Sequence, residues 1–312
     1  MVPLVSVITP ARNVAPWIEA AIRSVLAQTM PDLEHFVVDD GSTDATVDVV
    51  ASIVDPRLRL LTQPARGASA ARNAGLRLSS GPFVAFLDGD DYWTPDKLER
   101  QTAILEAHPE IDLTFSWSAI VDEAGVPIGH IMRAAAGRAG FADVFTRDVV
   151  GNGSSVVMRR SALERVGAFD ETLRAATDFD MWARVANFRR DNCWCVPEVL
   201  TVYRRRSGQL TADWRLSQSE SEKVVDKFQG PAYKTLRRRA HAANHRTYAF
   251  SAYENGDGLQ ALRLLARAIR FSPLFALADR RTWSLAAAVI ARTLLPVQAF
   301  ERLRAFSRRR LH

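Results

Sequence analysis

The chain has 312 residues, of which 47% are hydrophobic and 24% are charged, and its formal net charge is +6. This composition excludes an intrinsically disordered chain, because it provides ample apolar surface for a folded core. No run of the roughly 18–20 apolar residues that a membrane-spanning helix needs is apparent, and the length predicts two domains or one large domain with an appendage.

The positive charge is concentrated in the C-terminal part of the chain. Residues 1–202 contain 19 Lys and Arg against 27 Asp and Glu, a net −8, whereas residues 203–312 contain 22 against 8, a net +14. This split predicts an acidic catalytic body followed by a basic region that binds phosphate groups or anionic lipid. Nucleic-acid binding is disfavoured, because the basic residues are not interleaved with aromatic residues on a strand.

Two features of the sequence concern the cellular compartment. The N-terminus lacks the charged segment and the apolar core of a signal peptide. Cys193 and Cys195 are poorly placed for a disulfide, and one pair of cysteines cannot form a zinc site, so we expect buried free thiols in a reducing compartment. These features predict a cytoplasmic protein, either free or bound peripherally to the inner face of the plasma membrane.

Strand-like and helix-like patterns alternate over the first 110 residues and are joined by short connections. Apolar strand patterns cover residues 4–9, 33–38, 57–61 and 83–87, and helical spacing of apolar residues covers residues 15–28, 45–53 and 67–79. This alternation predicts an α/β fold with a mostly parallel sheet, right-handed crossovers and flanking helices.

Three aspartates, Asp88, Asp90 and Asp91, follow the apolar strand at residues 83–87. Neighbouring carboxylates repel one another and are costly to desolvate without a cation. At the carboxyl end of a parallel strand, where open α/β sheets bind ligands, Mg²⁺ or Mn²⁺ is the expected partner, with phosphate oxygens completing its coordination. A solvated turn or a helix cap is the alternative, since Asp and Gly are common turn residues.

The segment DDGSTD at residues 39–44 follows the second strand. A carboxylate at this position can accept a hydrogen bond from a pyrimidine imide or from ribose hydroxyls, and Gly41 permits a close approach of the backbone. The alternative is a helix cap formed by residues 42–44. The chain has neither a G-x-G-x-x-G after the first strand nor a P-loop, so a metal ion on Asp90, helped by Arg72, would have to neutralise the phosphates.

Four segments together resemble the signature segments of inverting glycosyltransferases of family two, which have the GT-A fold: VSVITPARN, VVDDGSTDAT, GASAARNAG and FLDGDDYWTPDKLE. Their order and spacing also match, and the resemblance covers residues 4–211. It implies a Rossmann-like GT-A domain, a nucleotide-sugar donor, a divalent metal ion and inversion at the anomeric carbon. The chain lacks the Q-x-x-R-W signature of processive polysaccharide synthases, so we expect transfer of one sugar per encounter.

The resemblance also implies roles for individual residues. Asp40 would recognise the donor base, Asp88 and Asp90 would form the family's D-x-D motif, and Arg72 would lie near the diphosphate. The implied metal ligand is Asp90, with Asp88 and Asp91 as further candidates. The implied donor-binding residues are Pro10, Arg12, Asp39, Asp40, Arg72, Asp88, Gly89 and Arg206.

The candidate catalytic base is Asp178, which matches the position of the family's base, although Thr177 stands where the family usually has Glu. Inversion needs a group that takes the proton of the acceptor hydroxyl, and a carboxylate in a partly apolar pocket suits that task because its pKa rises. The alternative for Asp178 is a helix N-cap. Arg206 stands where the family often has His; it would clamp the diphosphate, and an exposed basic turn is the alternative.

The rest of the chain predicts an acceptor-binding half and a helical C-terminal region. Strand patterns at residues 112–121, 126–132, 151–158 and 193–203 assign residues 111–211 to the acceptor half of a catalytic domain that spans residues 1–211, with residues 1–110 as its nucleotide-binding half. Residues 212–312 are predicted to be basic and helical, and residues 248–273 resemble part of a tetratricopeptide-type hairpin. The apolar segment 283–295, with arginines around it, fits either an interfacial helix on anionic lipid or a helix that closes the bundle.

We therefore predict a metal-dependent inverting glycosyltransferase that moves one sugar from a UDP- or dTDP-sugar to a glycan or lipid-linked acceptor, in the synthesis of cell-surface polysaccharide, lipopolysaccharide or glycolipid. A nucleotidyltransferase is one alternative, although it should show a Gly-rich basic loop after the first strand, where ARNVAPW is a poor match. The other alternative is a non-catalytic nucleotide-sugar-binding protein that docks through its basic tail.

Overall fold

The structure is a computed structural model of the chain, and it describes residues 2–209 and 212–294. The chain divides into two compact units, Met1–Ala212 and a second unit that begins at Asp213. Within the described residues, the first unit combines strands and helices and the second contains helices alone. The predicted α/β fold with a helical C-terminal extension is therefore confirmed.

The first unit is built on one sheet, which has ten strands in the described part of the chain. These strands are β1 (Val5–Ala11), β2 (Leu33–Asp39), β3 (Leu58–Thr62), β4 (Phe83–Phe86), β5 (Tyr92–Trp93), β6 (Leu113–Val121), β7 (Pro127–Met132), β8 (Gly137–Ala139), β9 (Val156–Arg159) and β10 (Cys193–Arg204). Their order is β3-β2-β1-β4-β9-β6-β10-β5, with β7 paired to β6 and β8 paired to β10.

Most of the central strands run in the same direction. β1 pairs in parallel with β2 and β4, β2 pairs in parallel with β3, and β6 pairs in parallel with β10. β9 lies between β4 and β6 and is antiparallel to both. The C-terminal ends of β2, β4 and β10 therefore lie at the same edge of the sheet, and the polar residues that follow these three strands come together there.

Helices cover both faces of the sheet in the first unit. They are α1 (Ile18–Leu26), α2 (Thr46–Ala51), α3 (Ala68–Leu78), α4 (Lys97–Ala107), α5 (Phe141–Arg147), α6 (Arg160–Val166) and α7 (Thr177–Phe188). Successive residues of a strand face opposite sides, so Val5 and Val7 of β1 pack with α1, α2 and α4, whereas Ile8 packs in the core that α5, α6 and α7 cover. Burial on both faces explains why these strands are apolar runs.

Gly75 allows α3 to pack closely against the sheet. A Cβ atom at Gly75 would lie 2.7 Å from Cγ2 of Ile8 and 3.4 Å from Cγ2 of Val38, so a larger residue would push the helix away from β1 and β2. Arg72 lies one turn earlier on the same helix, and the close packing therefore also fixes Arg72 at the sheet edge.

The second unit is described as five helices. They are α8 (Trp214–Lys227), α9 (Lys234–Glu254), α10 (Gly258–Phe271), α11 (Pro273–Ala278) and α12 (Arg280–Leu294). Trp214, Ala249, Leu264, Leu285 and Val289 form their main apolar core. In the part of the chain that the structure describes, none of the helices combines the length and the apolarity that crossing a membrane requires. The end of the predicted basic tail, residues 295–312, lies outside the described residues.

One strand prediction is wrong in its first half. Residues 151–158 were expected to be extended, but Gly153–Ser155 form a 3-10 turn and the strand begins at Val156. The Ser155 hydroxyl donates to the carbonyl of Asn152 at 2.9 Å, a local bond that competes with extended pairing.

Helices α4 and α5 lie where the sequence patterns predict no element. Both cysteines are buried and free, as expected.

Candidate active site

Asp40, directly after β2, holds the loop that leads into α3. Its Oδ1 accepts hydrogen bonds from Gln63 Nε2 at 2.7 Å and from the Arg66 backbone N–H at 2.8 Å, and its Oδ2 accepts from the Gly67 backbone N–H at 2.8 Å. Arg12 NH1 lies 4.0 Å from Oδ2. Each carboxylate oxygen has two acceptor positions, so Oδ2 retains one for a ligand.

Asp39 shapes the turn that follows. Its Oδ2 accepts hydrogen bonds from the backbone N–H groups of Gly41 and Ser42, both at 3.2 Å, and Gly41 has a φ of 72°, which favours glycine. The other oxygen of Asp39, Oδ1, is buried and has no hydrogen-bond partner within the described residues. Of residues 42–44, Asp44 contacts the start of α2: it accepts from the Thr46 backbone N–H at 3.0 Å, although the N-cap position itself is occupied by Ala45.

The D-G-D loop packs against the end of β1. A Cβ atom at Gly89 would lie 3.0 Å from Cγ2 of Val14, 3.2 Å from Cδ1 of Ile18 and 3.4 Å from the Pro10 carbonyl oxygen. Glycine at this position therefore permits the contact between the acidic loop and the end of β1, which contains Pro10 and is followed by Arg12. The predicted residues from β1, β2 and β4 are thus brought to the same edge of the sheet.

Arg72 joins three elements at this edge. Its NH2 donates to Asp88 Oδ1 at 2.6 Å and its NH1 donates to Thr177 Oγ1 at 3.1 Å, and the guanidinium lies 5.5 Å from the centroid of the Phe169 ring. The Arg72 side chain is only 7% exposed, whereas that of Asp88 is 32% exposed. Arg72 is therefore a fixed charge, and Asp88 keeps part of its carboxylate open to the cleft.

Asp91 uses both carboxylate oxygens within the protein. Oδ1 accepts from the Arg204 backbone N–H at 2.8 Å, and Oδ2 accepts from Ser154 Oγ at 2.6 Å. Burial, and after it the charges of Asp90 and Asp88, raises the pKa of Asp91 well above its ordinary value. These contacts favour a structural role for Asp91 over the predicted role as a metal ligand.

Asp90 is the carboxylate that faces Arg206. Its Oδ2 accepts from Arg206 Nε at 2.6 Å, and the guanidinium of Arg206 also lies 5.0 Å from the centroid of the Trp17 ring. The Arg206 side chain is 17% exposed, so the alternative of an exposed basic turn is wrong. Burial and then the charge of Asp88 raise the pKa of Asp90, and the bond from Arg206 opposes this rise.

The donor set fits a divalent ion that shares its coordination with phosphate. Within residues 2–209 and 212–294, no three side chains of His, Cys, Asp or Glu come together as a group that could hold a metal. Asp88 and Asp90 offer two carboxylates, and burial and then the charge of Asp88 raise the pKa of Asp90. Mg²⁺ is usually held by one or two carboxylates together with water and substrate phosphates, and two acids at a ligand-binding edge match that pattern.

Asp178 lies in the first turn of α7. The residue that precedes the helix is Ala176, which has a φ of 57°, so the alternative of Asp178 as the N-cap is wrong. Burial raises the pKa of Asp178, the charge of Arg72 opposes that rise, and the charge of Asp88 adds to it. A Cβ atom at Gly153 would lie 3.7 Å from Arg72 NH2 and 3.9 Å from Asp178 Cβ, so a residue without a side chain separates the two groups.

Two residues of the site have no signal in the sequence. Ser154 accepts from the Asp88 backbone N–H at 3.0 Å and donates to Asp91, and so ties the acidic loop to the turn before β9. Asp148 follows α5 with a φ of 47°, a strained conformation for a residue other than glycine. The surroundings of Asp148 and then the charge of Asp178 raise its pKa, but the residue is exposed to solvent, which screens both effects. Neither residue lies in a motif.

Comparison with known proteins gives one family and several partial relatives. The sequence model of Glycosyl transferase family 2 matches residues 6–167. The putative teichuronic acid biosynthesis glycosyltransferase TuaG of Bacillus subtilis is 40% identical over 137 residues, which are 42% of this chain and 53% of that protein. UDP-Glc:alpha-D-GlcNAc-diphosphoundecaprenol beta-1,3-glucosyltransferase WfgD of Escherichia coli is 47% identical over 103 residues, 33% of this chain and 41% of that protein. The chain therefore spans about half or less of the length of these relatives.

Solved structures share the fold over most of the chain. TarS 1–349 of S. aureus in complex with UDP-GlcNAc has a TM-score of 0.63 at 20% identity, covering 91% of this chain and 90% of that one. The mannosyltransferase PcManGT from Pyrobaculum calidifontis, in complex with GDP-Man and Mn²⁺, has a TM-score of 0.63 at 24% identity, covering 96% and 85%. Both are glycosyltransferases of the GT-A type, and at these identities the similarity shows the fold.

The bond between Ser154 and Asp91 makes a testable contribution to stability. The substitution Ser154→Ala leaves Asp91 Oδ2 buried without its donor, so we expect the free energy of unfolding in urea to fall by about 1–3 kcal/mol. Ser155→Ala is the matched control, because that hydroxyl is also buried but donates only to backbone carbonyls. A loss for Ser154→Ala no larger than the loss for Ser155→Ala would contradict the role of Ser154.

Proposed function

The chain belongs to glycosyl transferase family 2, whose model matches just over half of it, and from that premise we propose an inverting glycosyltransferase that moves one sugar from a nucleotide-diphosphate donor to an acceptor hydroxyl. The observation that carries the proposal is the arrangement around Arg72. This guanidinium donates through NH2 to Asp88, and the same nitrogen would lie 3.7 Å from a Cβ atom at Gly153, which in turn would lie 3.9 Å from Asp178 Cβ. A fixed positive charge that is bonded to the proposed metal ligand Asp88 and acts on the proposed base Asp178 suits the transfer of a group away from a diphosphate.

We assign the nucleotide end of the donor to Asp40 and its loop. The acceptor position that Oδ2 retains suits the imide N–H of uracil or thymine, which makes a UDP- or dTDP-sugar the proposed donor. Asp39, Pro10 and Arg12 lie at the same edge and complete the proposed pocket. Two solved structures with the same fold contain UDP-GlcNAc and GDP-Man. They support a nucleotide-sugar donor but do not indicate which base the donor carries.

Asp88 and Asp90 are the proposed holders of Mg²⁺ or Mn²⁺. When bound, the ion would supply positive charge to the diphosphate as it leaves. Arg72 contributes a second, permanent positive charge from α3, and Arg206 contributes a third from the segment after β10. Arginine is suited to this task because its planar donors bind phosphate oxygens in pairs and its charge persists at every relevant pH.

Asp178 is the proposed base. The acceptor oxygen forms a bond to the anomeric carbon while the bond from that carbon to the diphosphate oxygen breaks on the opposite face, and the nucleotide diphosphate leaves with the electron pair. The acceptor proton passes to Asp178. Its Oδ1 already accepts from the Phe179 backbone N–H at 2.8 Å, so we assign the proton to Oδ2. One displacement of this kind inverts the configuration of the sugar carbon.

The proposed acceptor is a glycan or a lipid-linked glycan of the cell surface. The relatives that match part of the chain carry names from teichuronic acid biosynthesis and from glucosyl transfer to a diphosphoundecaprenol-linked sugar. Neither a nucleotidyltransferase nor a non-catalytic binding protein is favoured by a particular observation. Transfer of sugar by the purified protein would exclude the second of these alternatives.

For the second unit we propose a peripheral contact with anionic lipid at the inner face of the plasma membrane. Residues 258–294 contain six Arg and one acid, Asp279, which is already paired with Arg246 and Arg281. Leu259, Leu262, Trp283 and Ile290 are among the large apolar side chains that stay exposed on α10 and α12. Exposed apolar residues beside arginines, almost without carboxylates, match the surface of an interfacial helix.

The donor and metal assignments are tested by thermal unfolding with UDP-sugars and dTDP-sugars. A ligand that binds the folded state at 100 times its Kd adds about 2.7 kcal/mol of stability, so we expect a rise in Tm with donor and Mn²⁺ that EDTA removes. Asp90→Ala should abolish this rise. Asp96→Asn is the control, because Asp96 bonds to Arg100 outside the acidic cluster and should respond like the wild type. The absence of a rise with every donor would refute the proposed function.

The role of Asp178 is tested by the pH dependence of transfer. The base must be ionised to accept a proton, and its pKa is raised above the ordinary aspartate value. We therefore expect kcat/KM to fall as the pH is lowered through a point above about 4, the pKa of a free aspartate. Asp178→Asn should lower kcat by roughly 10²–10⁴ while the rise in Tm with donor is retained. Unchanged turnover in this variant would remove Asp178 from the mechanism.

The lipid contact is tested by sedimentation with vesicles. Vesicles that contain phosphatidylglycerol should sediment the full chain at low salt, vesicles of phosphatidylcholine alone should not, and salt should release the protein. The double substitution Arg263→Gln with Arg267→Gln on α10 should weaken binding. The matched control is Lys223→Gln with Lys227→Gln on α8, which removes two other exposed charges. Equal losses in the two double variants would show a non-specific charge effect and contradict the assigned face.

A further inference from the structure

The cation that neutralises Asp90 in this structure is a residue of the chain itself. Nε of Arg206 lies 2.6 Å from Oδ2 of Asp90, and the two side chains are 17% and 11% exposed. This is the same carboxylate that the proposed function assigns to the divalent ion. The guanidinium of Arg206 therefore occupies part of the coordination space of that ion.

Arg206 is held in this position by its surroundings. Its guanidinium stacks on the ring of Trp17 at 5.0 Å, and Trp17 Nε1 donates to the Glu123 carbonyl at 3.2 Å. The next residue, Ser207, donates through its backbone N–H and its hydroxyl to Glu123 Oε2, at 3.3 and 3.1 Å. The ion pair is thus supported on two sides and is more than a chance contact between surface charges.

We propose that Arg206 is an internal counter-ion that competes with the divalent cation for Asp90, so that the cation binds weakly until a nucleotide diphosphate is also present. This inference rests on the proposed function, because it takes Asp88 and Asp90 as the holders of the ion. It goes beyond that function by predicting cooperative binding: the metal ion and the nucleotide bind together, and neither binds well alone.

The physical argument begins with the permanence of the arginine charge. Arg206 cannot release its proton, so it can yield Asp90 only by moving. Displacement by a metal ion would leave the guanidinium in a largely buried position beside a dication, without its carboxylate. The oxygens of a diphosphate remove this penalty, because they offer the guanidinium a paired acceptor of the same charge sign as Asp90.

The second arginine of the site does not impose the same competition. Arg72 bonds to Asp88 but has a neutral second partner in Thr177, and Asp88 is 32% exposed, so an oxygen of Asp88 remains accessible. The competition between an arginine and the metal ion is therefore expected at Asp90 and not at Asp88. Because coupling between two ligands is reciprocal, the nucleotide must strengthen metal binding by the same factor as the metal strengthens nucleotide binding.

The experiment measures Mn²⁺ affinity of the full chain from the EPR signal of free Mn²⁺, with and without UDP. For Arg206→Gln without UDP, we expect Mn²⁺ to bind at least about fivefold more tightly than to the wild type, the lower end of typical coupling between sites. UDP should tighten Mn²⁺ binding strongly in the wild type and much less in this variant. Arg205→Gln is the matched control and should behave like the wild type, because Arg205 is the adjacent residue and is exposed.

Two further variants separate the outcomes. Arg206→Lys keeps the positive charge and should keep Mn²⁺ binding weak. If Arg206→Gln fails to fold, the wild type still decides, because UDP that leaves its Mn²⁺ affinity unchanged overturns the proposal. In an Asp90→Asn background, Arg206→Gln should leave Mn²⁺ affinity unchanged, because the contested carboxylate is gone. Wild-type protein that binds Mn²⁺ alone as tightly as Arg206→Gln overturns the competition while leaving the proposed function intact. Failure of every variant to bind Mn²⁺, with or without UDP, overturns both.

Discussion

The concentration of negative charge at one edge of the sheet is the constraint on which the first unit depends. Parallel strands deliver Asp40 and the acids after β4 to the same edge, where their mutual repulsion must be offset. Asp88 and Asp90 each form an ion pair with an arginine, whereas Asp40 and Asp91 accept from backbone N–H groups and from one neutral side chain each, Gln63 and Ser154. Because these partners come from α3, from the loop before it and from the segment after β10, the same contacts that offset the charge also fix the positions of those elements.

The sequence predicts the residues of the proposed donor side of the site better than those of the proposed acceptor side, because the former follow apolar strands closely in the chain. Asp40 and Asp88 follow apolar strands directly, so strand pattern and position at a sheet edge are enough to bring them together. Ser154 and Asp148 reach the site only because β9 inserts antiparallel between β4 and β6. The spacing of apolar residues does not reveal such an insertion, and the 3-10 turn makes β9 begin at Val156, later than the sequence pattern predicts. The partner of Arg206 is likewise fixed by tertiary packing and not by its neighbours in sequence.

The two arginines of the cleft differ in how they are held, and the difference separates their tasks. Arg72 lies inside a helix that Gly75 allows to pack closely on the sheet, and it is bonded to both the acidic loop and α7. Arg206 lies after the last residue of β10, with one ion pair and one aromatic ring as its contacts in the cleft. A residue fixed by three elements suits the positioning of a transition state, whereas a residue at the end of a strand suits exchange between alternative partners.

The presence of Thr177 where the family usually has Glu bears on the proton affinity of the proposed base, Asp178, more than on its identity. Arg72 bonds to the neutral hydroxyl of Thr177 and keeps its positive charge near Asp178, where it opposes the rise in pKa that burial causes. A glutamate at position 177 would bring a further negative charge to the same place and would raise the proton affinity of Asp178. A base must be ionised at the working pH and yet hold a proton well, so these two demands limit its pKa from both sides. The pairing of Thr177 with Arg72 therefore keeps a positive charge near Asp178 that opposes the rise in its pKa caused by burial.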